Sequence, residues 1–506
     1  MIKNPFSSAN QIKLGAMLSY TTIVLTNIIG IVLTPFMIRM LGDAEYGLYL
    51  LVGAFIGYMT VLDFGLTNTI VRYVSKYRAE NDRKGEEQFL ATVMLIYMAI
   101  AFLIVVVGLL IFANLNSIFS KSLTAEEMHK AKIMFIILIF NLAIALPGGA
   151  YGAICNGYEH FVVPRAVNIA RYIVRSAMLV GILWMGGRAI SIVVLDTLMN
   201  IFAVLVNAYY VSHRIKVKVR FHNIDRSLIK KILGYSVWIF VFAIVGQFQW
   251  QTGQVVLGIL SGTKLVAIYG VGVMLGTYYG GFSTAISGLF LPRATKMVAD
   301  FSSAEELTSM MIKIGRVSLL VLFYILGSFI LYGREFIYLW VGDGYYDSWF
   351  VALLIMAGYT TPLVQSFANS ILEARAMLSF KALLYLGMTI IGTIVGALFV
   401  KEYGVAGMVV GSISTWIVSQ IIMNIYYSRI LKLNVLRYFK ELLNKILFAF
   451  LFVMAVCSIA AFHPKISWVY LILHMLIYST VYAMIMFRFG MNTFEKDLIL
   501  VHFKRA

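Results

Sequence analysis

Residues 39–76 read RMLGDAEYGLYLLVGAFIGYMTVLDFGLTNTIVRYVSK. A short polar turn opens this stretch, an apolar run fills it, and basic residues close it. The apolar run from Tyr46 to Val71 would form about 39 Å of helix, which is enough to cross a hydrocarbon core of about 30 Å with some tilt. Asp63 lies inside this run. Because a carboxylate at the centre of a membrane helix costs roughly 2.5–3.5 kcal/mol, we expect Asp63 to face protein or a wet cavity rather than lipid.

The composition is that of a membrane protein. Of the 506 residues, 61% are hydrophobic and 13% are charged, against about 25% charged in soluble domains. The two cysteines, Cys155 and Cys457, lie in or next to apolar segments, so we expect no disulfide framework. The seven histidines lack metal-ligand spacing, and the sequence contains neither a P-loop nor a GxSxG motif. We therefore expect no enzyme, no catalytic residue, no metal site and no cofactor.

The apolar segments predict an all-α integral membrane protein with about fourteen transmembrane helices. Two six-helix repeats are expected to form two lobes around a central cavity, and a C-terminal helix pair follows them. The predicted spans are 14–38, 46–71, 88–113, 131–154, 169–186, 189–212, 232–258, 267–292, 314–333, 349–372, 383–400, 405–427, 445–462 and 468–487.

The basic residues are distributed unevenly between the two sides of this topology. With the N-terminus in the cytoplasm, 31 Lys and Arg residues lie in cytoplasmic loops and ends, and nine lie on the other side. Since positively charged loops are retained in the cytoplasm, both termini are predicted to be cytoplasmic. The net charge of +18 then reflects topology and contact with anionic membrane lipids, and no binding of nucleic acid is expected.

The richest basic block, residues 213–231, separates two halves that resemble each other. It is interpreted as a cytoplasmic linker between an N-terminal lobe, 1–212, and a C-terminal lobe, 232–428, while residues 429–506 form the extra helix pair and a tail. Six helices per half is an even number, so the repeats share one orientation, and substrate is expected between them. The matching residues include Tyr49 and Tyr269, Asn27 and Gln247, Thr34 and Gln254, Arg72 and Arg293, Pro147 and Pro362, and Asn207 and Asn424.

Span 7 carries amide side chains at i, i+4, i+7 spacing, which places them on one helix face beside an indole. The repeat-related positions in span 1 are also polar. Amides and an indole suit sugar hydroxyls, so this face is predicted to bind substrate, and hydrogen bonding between helices is the alternative explanation. The candidate substrate-binding residues here are Asn27, Thr34, Gln247, Trp250, Gln251 and Gln254.

Arg175 and Asp196 lie in the hairpin that spans 5 and 6 form around Gly187. Arg175 lies 12 residues before Gly187 and Asp196 lies nine after it, a level difference of three residues, or about 4.5 Å. An ion pair between them is therefore feasible. Either it holds the hairpin together, or an anionic ligand releases Arg175 from Asp196 and binds to it. Arg171, one turn nearer the cytoplasm, is expected to extend its charge to the membrane surface.

The stretch around Asp63 resembles a known family. The pattern LGxxxYGLYxL at residues 41–51 and LDFGLTNTIVRY at residues 62–73 is similar to the second helix of the Wzx-type polysaccharide flippases, in the multidrug/oligosaccharidyl-lipid/polysaccharide exporter superfamily. The resemblance implies alternating-access flipping of polyprenyl-pyrophosphate-linked oligosaccharide, for O-antigen or exopolysaccharide synthesis, with a polysaccharide polymerase as a further candidate partner. Candidate coupling or gating residues are Asp63, Arg72, Asp196 and Arg293.

Two related functions stay open as alternatives. A multidrug or cation antiporter of the same superfamily is disfavoured, because ion-driven members generally carry an acid in span 1 and residues 14–38 contain none. A cationic drug also fits poorly beside Arg175. A lipid II flippase has the same layout. Since a pyrophosphate needs Arg or Lys in the cavity, and the motif around Asp63 is of the polysaccharide type, the oligosaccharide flippase is the favoured interpretation.

Overall fold

The computed structural model describes residues 8–220, 226–288, 291–375, 377–460 and 466–503, and within these ranges the chain is helical without strands. The chain divides into two compact units, residues 1–267 and residues 268–506, which are called the N-terminal unit and the C-terminal unit below. The lobe boundaries suggested by the repeat, at 212 and 232, stay a prediction.

The N-terminal unit is built from long helices joined by short turns. Its helices are α1 (Ser8–Leu41), α2 (Asp43–Thr60), α3 (Leu66–Ala79), α4 (Arg83–Phe119), α5 (Ala125–Gly157), α6 (Val162–Trp184), α7 (Ala189–Tyr210) and α8 (Arg226–Leu260). The next helix, α9 (Thr263–Gly288), continues into the C-terminal unit.

The C-terminal unit contains both long and short helices. After α9 come α10 (Leu291–Ala299), α11 (Ala304–Val341), α12 (Tyr346–Val364), α13 (Ser366–Ala374), α14 (Ser379–Arg429), α15 (Val435–Leu443), α16 (Ile446–Ala460), α17 (Trp468–Ile485) and α18 (Thr493–Phe503).

The number of spans agrees with the sequence. Among the described residues, twelve helical segments are long and apolar enough to cross a membrane. One of them, α14, runs for 51 residues but leaves helical geometry at Gly404, so that it contains two predicted spans. The 35-residue helix α8 covers the predicted span 232–258. With these two, the all-α fold of about fourteen transmembrane helices is confirmed.

Loops of the N-terminal unit gather at its two ends. At one end, Glu45 pairs with Lys130 at 2.5 Å and accepts a hydrogen bond from the backbone N–H of Ala189 at 3.3 Å, which joins the N-terminal ends of α2, α5 and α7. At the other end, Arg78 donates to the carbonyl of Gly157 at 2.9 Å. The helices therefore alternate in direction as predicted, while the assignment of one end to the cytoplasm stays a prediction.

The predicted span 46–71 is not one continuous helix, and in this respect the prediction is wrong. After α2 the chain makes a 3₁₀ turn, Val61–Asp63, and then passes through left-handed geometry at Phe64 (φ 51°) and Gly65 (φ 70°) before α3 begins. Gly65 adopts that geometry without steric cost, whereas Phe64 does so at a cost of order 1–3 kcal/mol. The Phe64 ring stacks on Phe240 of α8 with a centroid distance of 4.4 Å, which helps to hold the break.

Glycines allow the two halves of α14 to cross closely. A Cβ atom added to Gly411 would lie 2.4 Å from the backbone nitrogen of Gly396. Small residues at such crossings let membrane helices pack backbone to backbone, where van der Waals contact replaces the missing hydrophobic driving force. The hairpin made by the two halves therefore depends on these glycines.

The predicted C-terminal helix pair packs against α11. On α17, Tyr478 donates a hydrogen bond to the carbonyl of Tyr324 at 3.0 Å, and Tyr482 donates to the carbonyl of Leu320 at 2.6 Å. Because both acceptors are backbone carbonyls of α11, the contact fixes the position of α17 along that helix.

An arginine joins the helix ends on one side of the C-terminal unit. Arg316 of α11 forms a side-on pair with Glu495 of α18, with distances of 2.5 Å and 3.2 Å, and the two side chains are 6% and 2% exposed. The same guanidinium donates to the carbonyls of Glu441 at 2.7 Å, Asn444 at 3.0 Å and Gly490 at 3.0 Å. It thus connects α11, the turn between α15 and α16, and the C-terminal helix.

We expect Glu495→Gln to destabilise the C-terminal unit by about 3 kcal/mol, because it leaves the buried guanidinium of Arg316 without its counter-charge. Thermal unfolding of the purified protein in detergent measures this effect. Glu305→Gln is the matched control, because Glu305 is 82% exposed in its ion pair with Arg437 and should change stability by less than about 0.5 kcal/mol. Equal unfolding temperatures for the two variants would contradict the assignment.

Candidate functional site

A cavity of about 460 Å³ lies within the N-terminal unit, between α1, α2, α5, α6 and α7. Aliphatic side chains such as Leu33 and Leu142 form much of its wall. Polar or charged groups from all five helices converge in it. A cavity of this size, largely apolar with a few polar groups, has the general form of a ligand site.

Arg175 and Asp196 form an ion pair in this cavity. The guanidinium of Arg175 meets the carboxylate side-on, through Nε to Oδ1 and through Nη2 to Oδ2 at 3.1 Å. The hydroxyl of Tyr49 accepts from Nη2 of Arg175 at 3.1 Å and donates to Oδ2 of Asp196 at 3.1 Å. The pair that the hairpin register made feasible is therefore present, and it is closed by a tyrosine from α2. The side chain of Arg175 is 19% exposed and that of Asp196 is 26% exposed, so both are accessible from the cavity.

Arg171 lies in the same cavity, contrary to the expectation that it extends to the membrane surface. It donates through Nη1 to Oδ1 of Asn200, and Nδ2 of Asn200 donates to Oδ1 of Asn141 at 3.0 Å. The expectation failed because α6 begins at Val162, seven residues before the predicted span, so that Arg171 lies more than two turns inside the helix.

The register of the hairpin contains the signal that would have located Arg171. Arg171 and Asn200 lie 16 and 13 residues from Gly187, which is the same difference of three that relates Arg175 to Asp196. On each helix the two residues are four apart and share one face. Two arginines on α6 therefore face two acceptors on α7, in successive turns.

The cavity carries a net positive charge. Among the described residues that line it, the charged ones are Arg171, Arg175 and Asp196. The carboxylate neutralises Arg175, whereas the acceptor for Arg171 is a neutral amide. An anion can therefore enter this cavity and bind a guanidinium without breaking an existing ion pair.

Only some of the other predicted substrate-binding residues line this cavity. Thr34 lines it, whereas Asn27 of the same helix is not part of the lining. Gln247 and Gln251 of α8 face α2 at Gly57, where an added Cβ would lie 2.5 Å from Oε1 of Gln247. Trp250 is half-buried and Gln254 is buried on the same helix. The role of the α8 amides in substrate binding stays a prediction.

The helix α2 separates these two groups of polar residues. Tyr49, Ile56 and Thr60 follow i, i+7, i+11 spacing and face the cavity. Tyr58 lies on the side that faces α8, where its ring packs edge-on against Phe248 at a centroid distance of 5.4 Å. The cavity with the arginines and the amide face of α8 therefore contact different faces of one helix.

Asp63 lies at the break between α2 and α3, where it is half-buried. Tyr97 of α4, itself fully buried, donates to its carboxylate at 2.8 Å, and both the backbone N–H and the hydroxyl of Thr67 donate to it at 3.4 Å. The expectation that Asp63 faces protein groups rather than lipid agrees with these contacts. Its backbone partner belongs to the first turn of α3, where the helix dipole also favours a negative charge.

The remaining candidates for coupling or gating are farther along the chain. Arg72 is exposed on α3. Arg293 lies on α10, and its side chain is outside the described part of the structure. Among the described residues, no group of three or more His, Cys, Asp or Glu side chains is arranged to hold a metal ion.

Comparison with solved structures identifies the class of fold. The fold matches that of the lipid II flippase MurJ in an inward closed conformation, with a TM-score of 0.72, 14% identity, and coverage of 96% of this chain and 99% of that chain. It also matches the eukaryotic MATE transporter AtDTX14, with a TM-score of 0.52, 13% identity, and coverage of 86% and 98%. The chain thus shares its fold with these two proteins.

Comparison of sequences identifies the family within that class. Residues 13–298 match the model of the polysaccharide biosynthesis protein family, and the chain belongs to this family. A protein from Shigella flexneri described as "Putative O-antigen transporter" is 23% identical over 414 residues, which cover 78% of this chain and 92% of that protein. The family predicted from the motif around Asp63 is confirmed.

We expect Asp63→Asn to abolish most transport while the protein is still made in normal amount. An amide oxygen can still accept the hydrogen bond from Tyr97, so folding is retained, but the charge at the helix break is lost. Surface glycan in cells that depend on this protein measures transport, and immunoblotting measures its abundance. Tyr97→Phe is the companion variant, which keeps the charge and removes one hydrogen bond, and it should retain more transport. Full glycan export by Asp63→Asn would show that the charge is not required.

Proposed function

We propose that this protein moves polyprenyl-pyrophosphate-linked oligosaccharide across the bacterial cytoplasmic membrane. Membership of the polysaccharide biosynthesis protein family and similarity to an O-antigen transporter support this substrate class. The structural observation that carries the proposal is the cavity with two arginines and one carboxylate. Its charge suits a ligand that brings a negative charge into the membrane-spanning part of the protein.

The pyrophosphate is the group for which the arginines matter most. Coulomb energies between charges are larger in a partly dry cavity than in water, so a guanidinium there binds phosphate oxygens strongly. The planar guanidinium also binds two oxygens at once, which the ammonium group of lysine cannot do. Arg171 offers the first binding site, because its present acceptor is the neutral amide of Asn200.

Arg175 provides a second, exchangeable contact. Its guanidinium is held at rest by Asp196 and Tyr49. A phosphate that displaces the carboxylate replaces one anion by another, so Arg175 is never left as an uncompensated charge, which would be strongly destabilising. This exchange would couple arrival of the substrate to release of Asp196, and in that way the hairpin of α6 and α7 could change its arrangement.

The rest of the mechanism is proposed from the family and from the repeat. The resemblance implies alternating access by the two repeats, and Asp63, Arg72, Asp196 and Arg293 are the candidates for gating or ion coupling. The binding face of the sugars would be completed by Asn27, Thr34 and the α8 residues Gln247, Trp250, Gln251 and Gln254. Both termini are proposed to be cytoplasmic, and a polysaccharide polymerase is proposed as the partner that receives the product.

The cavity charge also separates this function from the alternatives. A cation antiporter is disfavoured, because a cationic ligand would meet Arg171 without an accompanying carboxylate. A lipid II flippase remains the second candidate, since its ligand is also a lipid-linked saccharide and the fold of MurJ is similar. The family match favours polysaccharide precursors.

We expect Arg175→Lys to reduce glycan export at least tenfold, because lysine cannot bind two phosphate oxygens in the same plane. Arg175→Ala should be worse, since it also leaves Asp196 without its counter-charge and so lowers protein abundance. Arg165→Lys is the matched control, because Arg165 lies on the same helix but outside the cavity lining. Surface glycan and protein abundance are the two measurements.

The double variant Arg175→Ala/Asp196→Ala distinguishes a ligand site from a structural pair. Removing both charges should restore protein abundance, because no unpaired charge remains in the hairpin, while export stays lost. Recovery of both abundance and export would mean that the pair only holds α6 and α7 together, and it would overturn the assigned role.

A further inference from the structure

A basic pocket of about 510 Å³ lies at one end of the C-terminal unit. Its lining residues are distant in the sequence from those of the cavity that contains Arg171 and Arg175. It is lined by residues of α11 and α15, by the turn that leads into α16, and by Asn492 just before α18. Its charged lining residues are Lys313, Arg316, Arg437, Glu441 and Lys445. The pocket lies at the end of the unit that is predicted, from the distribution of basic residues, to face the cytoplasm.

The carboxylates near this pocket are already matched to arginines. Arg316 is paired with Glu495, and Arg437 binds Glu441 at 2.7 Å and Glu305 at 3.1 Å. Among the described residues, neither Lys313 nor Lys445 has a carboxylate within 4.0 Å. Lys313 lies over the ring of Phe494, 5.6 Å from its centroid, which leaves the positive charge without an anion. Both lysine charges can therefore bind an anionic ligand.

The position of Lys445 is fixed by the backbone around it. Lys445 has a φ of 65°, left-handed geometry that a lysine adopts only when its surroundings enforce it. The preceding carbonyl, that of Asn444, accepts a hydrogen bond from Arg316 at 3.0 Å, and the carbonyl of Glu441 accepts another at 2.7 Å. The buried Arg316 thus holds the sharp turn between α15 and α16, and the turn places Lys445 at the pocket beside Arg437.

The short helix α15 has the properties of a helix at the membrane surface. Tyr438 and Leu442 are buried against the protein, whereas Leu436 is 85% exposed beside the basic residues Arg437 and Lys440. An exposed leucine next to cationic side chains is typical of a helix lying between headgroups and acyl chains. The pocket that α15 lines is therefore at the depth of lipid phosphates.

We infer that this pocket binds the phosphate headgroup of an anionic membrane lipid, through Lys313, Lys445 and the outer side of Arg437. Basic pockets between transmembrane helices on the cytoplasmic side are suited to anionic headgroups. The bound lipid would lie against α11, α15 and the C-terminal helix, which Arg316 joins. The inference does not depend on the transported substrate, because it concerns a different unit of the protein.

Native mass spectrometry of the detergent-purified full chain tests the inference, with dioctanoyl-phosphatidylglycerol as the ligand and dioctanoyl-phosphatidylcholine as the neutral comparison. The wild type should bind phosphatidylglycerol about tenfold more tightly or better than phosphatidylcholine. Lys313→Gln/Lys445→Gln should remove most of that preference. The matched control is Lys432→Gln/Lys440→Gln, which removes the same charge from exposed lysines near α15 that do not line the pocket.

Three results would overturn the inference. An unchanged preference in Lys313→Gln/Lys445→Gln would show that the pocket lysines do not bind the headgroup. An equal loss in the control pair would show attraction to the basic surface without a site. Displacement of the lipid by glycerol 3-phosphate or inorganic phosphate at the same concentration as the lipid would show a site for a soluble phosphate. Glycan export is not the readout, so none of these results depends on the proposed transport function.

Discussion

An arginine can lie inside a membrane span only if another group meets its charge, and the N-terminal unit is arranged around that requirement. Arg175 is held by Asp196 from the neighbouring helix and by Tyr49 from α2. The contact fixes the register of α6 against α7 and brings α2 onto both. The same register then places Arg171 against Asn200, so that one loop of a few residues around Gly187 determines two successive contacts. The charged groups of both contacts line the cavity.

In the C-terminal unit an arginine is also paired with a carboxylate, but there the pair is buried. Arg316 and Glu495 are almost fully buried, and the guanidinium donates its other hydrogen bonds to backbone carbonyls. Because the pair is buried, its guanidinium does not offer a donor to a ligand. We therefore assign the pair a structural role. In the N-terminal unit the pair of Arg175 and Asp196 is partly exposed to a cavity, which allows an exchange of partners. Exposure, rather than charge, distinguishes the two sites.

The sequence predicted the fold well where hydrophobic length decides the structure. Within the described residues, every predicted span falls mainly on helix, although the spans 46–71, 267–292 and 349–372 each cover more than one helix. Counting residues from Gly187 was enough to propose the contact between Arg175 and Asp196. The break after Asp63 was missed because the stretch is long enough for one continuous span, and hydrophobicity does not report backbone geometry. Tyr49 and Asn141 were missed as site residues because they come from helices distant in the sequence. The amides of α8 share a face as predicted, but the sequence could not show that this face meets Gly57.

The central claim is that two guanidinium groups in the N-terminal unit bind the pyrophosphate of a lipid-linked saccharide. The most direct measurement compares the affinity of the purified protein for a polyprenyl-pyrophosphate-linked disaccharide and for the corresponding monophosphate. The account predicts that the wild type prefers the pyrophosphate about tenfold or more, since a charge-assisted hydrogen bond contributes about 1.5–3 kcal/mol, and that Arg171→Gln removes this preference. Equal affinity of the wild type for both ligands, or an undiminished preference in Arg171→Gln, would contradict it.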